Sequence, residues 1–200
     1  MPKLDLYRKH RGEYVTPRTP VLVTTKPAKY LAIAGRGSPA DLGFNRAISA
    51  LYSVAFTIKM ARKFAGRDYV VTKLEGLWWG ERRGRLLSDE PKRRWRWKLM
   101  IRVPPFINEG DRRKALQLLR SRGKDPLVAQ VKLEALREGR CVQVLHVGPY
   151  DAEHESIGRM MALARDRGRR YRGRHHEIYL SDPRRVPAAR LKTILRHPVT

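Results

Sequence analysis

The chain has 200 residues with a hydrophobic fraction of 42%, which is enough for one domain with its own core. No apolar run is long enough to cross a bilayer, the N-terminus lacks the apolar segment of a secretion signal, and the single cysteine excludes an internal disulfide, so we expect a cytoplasmic protein without a membrane partner. The net charge of +25 suggests nucleic acid, but the basic residues are dispersed and no zinc-finger, RNP or helix-turn-helix pattern accompanies them, so we expect only weak, salt-sensitive binding and no specific nucleic-acid partner.

The N-terminal residues 1–28 are polar and contain several prolines, a composition typical of an arm with one short edge strand, at 21–23. A single domain is expected at 29–200. Its predicted parts are two halves, 29–105 and 131–200, and a connector at 106–130.

The first half is predicted to have the order β-α-β-β. Its helix is expected to begin at a Ser38 cap, with Pro39 in the first turn where the missing amide costs little, and to end at Gly66. Alternation of apolar and polar residues predicts the strands, and glycine, proline and charge mark the connection between the last two. The predicted strands are 29–34, 69–79 and 94–103, with a charged hairpin loop at 80–91.

The second half repeats this order, about 110 residues later. Its helix is expected to follow an Asp151 cap and to end at Gly168. The elements predicted from the connector onward are a helix at 111–121, strands at 131–136, 142–147, 175–180 and 191–197, and the helix between the second and third of these strands. The repeat predicts an α+β fold made of a duplicated β-α-β-β module with pseudo-twofold symmetry, antiparallel sheets and a ligand cleft between the halves.

Two glutamates on predicted strands, Glu75 and Glu177, are the candidates for chemistry. If Ile178 and Leu180 pack on the helix, Glu177 points away from it, and both carboxylates would face one cleft. Aromatic neighbours would remove water from these carboxylates and raise their pKa, which suits a general acid or base, or a counter-ion for a cationic ligand. The alternative is a pair of surface or salt-bridged glutamates, which an arginine-rich chain readily provides.

Aromatic residues on the same strands and near the Gly148-Pro149 turn are candidates for binding an aromatic small molecule. The predicted ligand-binding residues are Trp79, Trp78, Tyr150, Tyr179, Tyr69, His146 and Trp97. The alternative is that tryptophans facing the helix belong to an ordinary core, and that Tyr150 only packs its turn against the domain.

Histidines near these strands do not match a metal-binding pattern. His175 and His176 are adjacent on a strand and point to opposite faces, so they cannot ligate one ion from a regular strand. We therefore predict no metal site and no cofactor.

Two long runs, HVGPYDAEHESIGRMM at 146–161 and HHEIYLSDPRR at 175–185, resemble the GyrI-like small-molecule-binding family. LEGLWW at 74–79 and LKTILRHPV at 191–199 extend the resemblance over about residues 29–199. The resemblance implies a duplicated β-α-β-β fold with a pocket between the halves, and it implies that Glu177 lies in that pocket.

Stand-alone proteins of this family include hydrolases that open the cyclopropane ring of DNA-alkylating natural products. The resemblance therefore implies a detoxifying cyclopropanoid cyclopropyl hydrolase, in which Glu177 and Glu75 would activate and position water. The natural substrate and the oligomeric state stay open. The alternative is a non-catalytic protein that sequesters or senses cationic aromatic drugs, the multidrug-binding role of related domains.

Overall fold

The structure is a computed structural model that describes residues 3–80 and 90–200. Its helices are α1 Leu6–Lys9, α2 Arg11–Tyr14, α3 Leu42–Phe64, α4 Glu109–Ser121 and α5 Glu153–Asp166. Its strands are β1 Val21–Thr24, β2 Ala28–Arg36, β3 Leu74–Trp79, β4 Arg96–Val103, β5 Lys132–Leu136, β6 Arg140–Val147, β7 His175–Tyr179 and β8 Lys192–Pro198. Helices combined with antiparallel strand pairs confirm the α+β class. Most of the predicted hairpin loop at 80–91 lies outside the described residues.

The chain forms two compact units. The first contains the described parts of Met1–Lys9, Ala28–Thr72 and Trp78–Leu136, and the second contains His10–Pro27, Lys73–Leu77 and Arg137–Thr200. The order β2-α3-β3-β4 is repeated as β6-α5-β7-β8, and β2 pairs antiparallel with β4 as β6 does with β8. This repetition confirms the predicted duplication of the β-α-β-β module.

In the first unit, α3 packs on strands β2 and β4 through an apolar stripe at helical spacing. The stripe is formed by Phe44, Ala47, Ala50, Leu51, Val54, Ala55 and Ile58. The neighbouring Ile48 is only half-buried.

The prediction that Ser38 caps α3 is wrong. The helix begins at Leu42, and the carboxylate of Asp41 accepts a hydrogen bond from the backbone N–H of Ser38 at 2.8 Å. Gly37, with a φ of 104°, turns the chain just before this loop. The side chain of Asp41 therefore closes the turn that precedes the helix, and the helix starts three residues later than the Ser38 cap implies.

The predicted strand at 69–79 is shorter than expected, because β3 begins only at Leu74. Tyr69 makes an isolated bridge to Leu4, and the hydroxyl of Thr72 donates to the carbonyl of Arg102 at 3.0 Å. These local partners replace the regular ladder before Leu74. Apolar alternation continues through both stretches, so it does not reveal where the ladder starts.

In the second unit, β6, β8 and β7 form an antiparallel sheet with β1 on its edge. Helix α5 covers one face of this sheet through Met160 and Ala164, which pack against Val144 and Leu195. The segment His10–Pro27, predicted as an arm, contributes α2 and β1, and its Tyr14 is buried.

None of the helices within residues 3–80 and 90–200 has the length and apolar character that a membrane span requires.

The contact between the backbone at Gly35 and the ring of Trp97 gives a prediction about stability. A Cβ atom added at Gly35 would lie 2.3 Å from two ring atoms of Trp97, which is buried, so the Gly35→Ala variant is overpacked. We expect its free energy of unfolding to fall by about 1–3 kcal/mol in a urea titration. The matched control is Gly43→Ala in α3, where nothing lies within 4 Å of the added atom. Equal stability of the two variants would contradict the packing described here.

Candidate functional site

The two faces of strand β7 carry different groups. Glu177 lies opposite Leu195, and Leu195 lies opposite Val144, so these three side chains share the face on which α5 packs, called here the helix face. His176 lies opposite Arg196 and shares the other face, called the opposite face. The expectation that Glu177 points away from the helix, which assumed that Ile178 and Leu180 pack on it, is therefore wrong.

Glu177 is fixed on the helix face by neighbours on its own strand. The hydroxyl of Tyr179 donates to Glu177 Oε2 at 2.7 Å, and His175 Nε2 lies 3.4 Å from Glu177 Oε1 without hydrogen-bond geometry. These contacts follow from the i, i+2 spacing of a strand, which places all three side chains on one face. The side chain of Glu177 keeps 12% of its surface exposed, so one carboxylate oxygen is oriented and a ligand or water can still reach the group.

Tyr150 reaches Tyr179 from the turn that precedes α5. The two rings meet edge to face with centroids 6.1 Å apart, and 39% of Tyr150 is exposed. Burial, followed by the charges of Glu153 and Glu177, raises the pKa of Tyr150 to about 12, so its hydroxyl keeps its proton at neutral pH.

His146 holds this turn in place. Its Nε2 lies 3.1 Å from the carbonyl oxygen of Pro149 and its Nδ1 lies 3.0 Å from Ser156 Oγ. Because a carbonyl only accepts, Nε2 carries the proton and Nδ1 accepts from the serine hydroxyl in the neutral ring. Both ring nitrogens thus join the turn to α5, and His146 fixes the turn that carries Tyr150.

Glu153, the first residue of α5, lies beside Glu177 and was missed by the sequence analysis. It is 7% exposed, and its Oε1 has no hydrogen-bond partner among the described residues. Burial raises the pKa of Glu153 well above its usual range, and the negative charges of Glu177 and Asp151 add to the rise. A hydrogen bond with Thr193 opposes this shift without reversing it.

One ligand atom from each of Glu153, His175 and Glu177 lies within 4.8 Å of the others. A proton or a cation between two carboxylates at this spacing relieves their repulsion. The trio is the group within residues 3–80 and 90–200 whose geometry could hold a metal ion. The expectation of no metal site stays a prediction.

On the opposite face, His176 lies between two buried carboxylates. Its Nε2 is 3.0 Å from Glu75 Oε2, and its Nδ1 is 3.1 Å from both carboxylate oxygens of Glu138. A neutral imidazole can donate from only one nitrogen, so two carboxylate partners require the imidazolium. Burial lowers the pKa of His176, but the two glutamates outweigh it and raise the pKa to about 9.

Arg196 completes this buried network. Its Nη1 donates to Glu138 at 3.3 Å, its Nε to Gln143 at 2.7 Å and its Nη2 to the backbone carbonyl of Glu13 at 2.6 Å. His176 and Arg196 together hold the pKa of Glu138 at about 2, against the effect of burial. Two cations therefore balance the carboxylates of Glu138 and Glu75.

The structure does not bring Glu75 and Glu177 together. Glu75 is completely buried, and it accepts hydrogen bonds from His176 and, at 3.1 Å, from the hydroxyl of Tyr14. Adjacent residues of a strand point to opposite faces, so the partner of His176 and the side chain of Glu177 lie on different sides of β7. Glu75 is thus part of the buried network, and Glu153 is the carboxyl that lies beside Glu177.

Three aromatic residues of the first unit that were predicted to bind a ligand, Trp78, Trp97 and Tyr69, are core residues. Trp78 and Trp97 are both buried and pack on Phe44 of α3, with ring centroids 5.6 Å and 5.2 Å away. Tyr69 is buried against Phe106. Trp79 is only half-buried. Of the predicted binding residues, Tyr150, Tyr179 and His146 are those found around Glu177 in the second unit.

Comparison with known proteins identifies the family. The sequence model of the GyrI-like small molecule binding domain matches residues 18–200. A conserved protein from Listeria innocua is 33% identical with a TM-score of 0.92, covering 99% of this chain and 100% of its own. Two structures described as hydrolases from Listeria innocua are 32% and 33% identical, with TM-scores of 0.89 and 0.90; they cover 99% and 100% of this chain, and all of their own. None of the curated proteins matches.

The buried imidazolium gives a prediction about stability. The His176→Gln variant leaves Glu75 and Glu138 without their shared cation, so we expect the free energy of unfolding to fall by about 3–5 kcal/mol in chemical denaturation. The control is His154→Gln on the exposed side of α5, where the change should stay within about 0.5 kcal/mol. If His176→Gln lowered the free energy of unfolding by as little as the control does, burial of Glu75 and Glu138 would not depend on the positive charge of His176.

The same network gives a prediction about pH. Because the pKa of His176 rises on folding to about 9, its contribution is complete below the unfolded value near 6.5 and disappears as the pH passes through 9. The stability difference between wild type and His176→Gln should therefore shrink between pH 6.5 and 10. Urea titrations across this range measure it, and a constant difference would contradict a charged His176.

Proposed function

The chain belongs to the GyrI-like small-molecule-binding domain family, and we propose that it is a hydrolase that adds water to an electrophilic, strained ring carbon of an aromatic small molecule. The candidate substrates are cyclopropane-bearing alkylating compounds, so the cellular result would be detoxification. The observation that carries this proposal is the environment of Glu177. Its side chain accepts a hydrogen bond from the hydroxyl of Tyr179 and keeps 12% of its surface exposed. The resemblance to hydrolases from Listeria innocua supports catalysis.

Glu177 would act as the base that takes a proton from the attacking water. Water alone is a weak nucleophile, and a positioned carboxylate accelerates such a step by roughly 10²–10⁴-fold. With Oε2 held by the hydroxyl of Tyr179, Oε1 is the oxygen left to accept the proton. Tyr150, which is partly exposed, contacts Tyr179 at the same site.

Tyr150 and Tyr179 would hold the flat part of the substrate. Their edge-to-face contact presents one exposed ring and one half-buried ring beside the carboxylate. A planar ligand stacked on Tyr150 gains apolar contact, and its reactive carbon would lie near Glu177. The ligand would then lie in the second unit, on the helix face of β7.

A second candidate is a non-catalytic binder of cationic aromatic compounds. The same group of acidic and aromatic side chains attracts a flat cation through its charge and its ring faces. Calorimetry with cationic aromatic dyes, followed by mass analysis of the recovered dye, separates the two functions. Tight binding of the dyes, together with failure to convert any cyclopropane-bearing compound, would favour the binder.

Hydrolysis gives a direct test of Glu177. Wild type incubated with a cyclopropane-bearing alkylator should yield a product heavier by one water. We expect Glu177→Gln to lower kcat/KM by roughly 10²–10⁴-fold, because the amide cannot take the proton. The exposed Glu155→Gln on α5 serves as the control and should retain wild-type activity. Equal rates for wild type and Glu177→Gln would exclude Glu177 as the base.

A further inference from the structure

Glu153 is a buried carboxyl that the action of Glu177 as a base does not explain. It is 7% exposed, and its Oε1 is directed into the protein without a hydrogen-bond partner among the described residues. A carboxylate in such a place costs several kcal/mol of lost hydration unless it is paired or neutral. The cationic partners that neutralise carboxylates elsewhere in the second unit, His176 and Arg196, lie on the opposite face of the sheet.

The surroundings of Glu153 favour its neutral form. Glu177 from β7 and Asp151 from the preceding turn present negative charge, and Thr193 from β8 provides a hydrogen bond. His175 contributes a ring nitrogen within 4.8 Å. The start of α5 favours a negative charge by about 0.3–1 kcal/mol, up to about 2 kcal/mol in buried geometry. This is less than the effect of burial beside a second carboxylate, and burial leads the rise in the pKa of Glu153.

We propose that Glu153 is the proton donor of the hydrolysis, acting opposite Glu177 as the proton acceptor. The proposal rests on the proposed function. When two neighbouring carboxyl groups have different surroundings, one can act as the acid and the other as the base. Glu153, whose buried Oε1 has no hydrogen-bond partner among the described residues, holds the proton, and Glu177, whose carboxylate is oriented by the Tyr179 hydroxyl and keeps 12% of its side-chain surface exposed, is the acceptor.

The proton balance of the step closes within this pair. Water oxygen bonds to the ring carbon while Glu177 takes one water proton. The strained carbon–carbon bond breaks, and its electron pair moves to the acceptor atom that activates the ring, for example a conjugated carbonyl oxygen. Glu153 gives its proton to that acceptor. The proton on Glu177 then returns to Glu153 through one water, which the separation of at most 4.8 Å between their oxygens can accommodate, and one water has been added to the substrate overall.

Substitution to glutamine separates this role from a structural one. Glutamine has the shape of a protonated glutamate but cannot donate a proton as an acid, so Glu153→Gln should fold with wild-type stability in thermal melts. We expect kcat/KM to fall by roughly 10²–10⁴-fold, while the affinity for the product, measured by calorimetry, stays within about threefold. Glu155→Gln, two residues further along the same helix and exposed, is the matched control.

Two further measurements make the assignment specific. The wild-type profile of kcat/KM should fall at alkaline pH as Glu153 loses its proton, and this fall should be absent in Glu153→Gln. In a substrate series, the defect of Glu153→Gln should shrink as the acceptor atom becomes a better stabiliser of negative charge. A change that only disturbed the structure would lower all substrates alike.

The outcomes distinguish failure of this proposal from failure of the proposed function. If wild type adds no water to any substrate, the hydrolase function fails. If wild type is active and Glu177→Gln is inactive, but Glu153→Gln keeps full activity and the alkaline limb, only the role of Glu153 is overturned. The same follows if chelation abolishes wild-type activity and Zn²⁺ or Mn²⁺ restores it, because a cation would then occupy the position of the proton.

Discussion

The second unit depends on one imidazolium, His176, held between the carboxylates of Glu75 and Glu138 on the opposite face of strand β7. Such a group is costly to bury and becomes stable only when every charge has a partner. Arg196 provides the balancing cation, and it reaches the backbone of Glu13 in the N-terminal segment. Residues far apart in the chain are therefore fixed to the neighbouring strands β7 and β8 by charge-assisted hydrogen bonds.

The next residue of the same strand, Glu177, faces the other way and takes part in a different kind of chemistry. On the helix face the carboxyls of Glu177 and Glu153 and the ring of His175 lie within 4.8 Å of one another. The opposite face anchors β7 through the hydrogen bonds of His176, and on the helix face the proposed proton on Glu153 relieves the repulsion between two neighbouring carboxyl groups. Rigid placement of a destabilised pair is a common basis for acid–base catalysis, because it fixes the geometry and sets the protonation states apart.

Sequence patterns were sufficient for the order of elements and for part of the site. Alternation and turn residues identified both β-α-β-β modules, and the resemblance led to Glu177. They did not show which face of β7 meets α5, because the same alternation fits either face. For the same reason the sequence did not show that Glu75 lies on the opposite face with His176, away from Glu177. Glu153 was missed since an acidic residue in the first turn of a helix is normally an exposed response to the helix dipole. Only its burial beside Glu177 distinguishes it.

The protonation of the two faces can be measured without a substrate. Carbon-13 NMR of labelled glutamate carboxyls at pH 7, assigned with Glu153→Gln and Glu138→Gln, reports the charge of each group directly. The account predicts a protonated Glu153 and an ionised Glu138 in the same folded protein. An ionised Glu153 at pH 7 would contradict it, because the helix face would then hold two charged carboxylates and no proton to give.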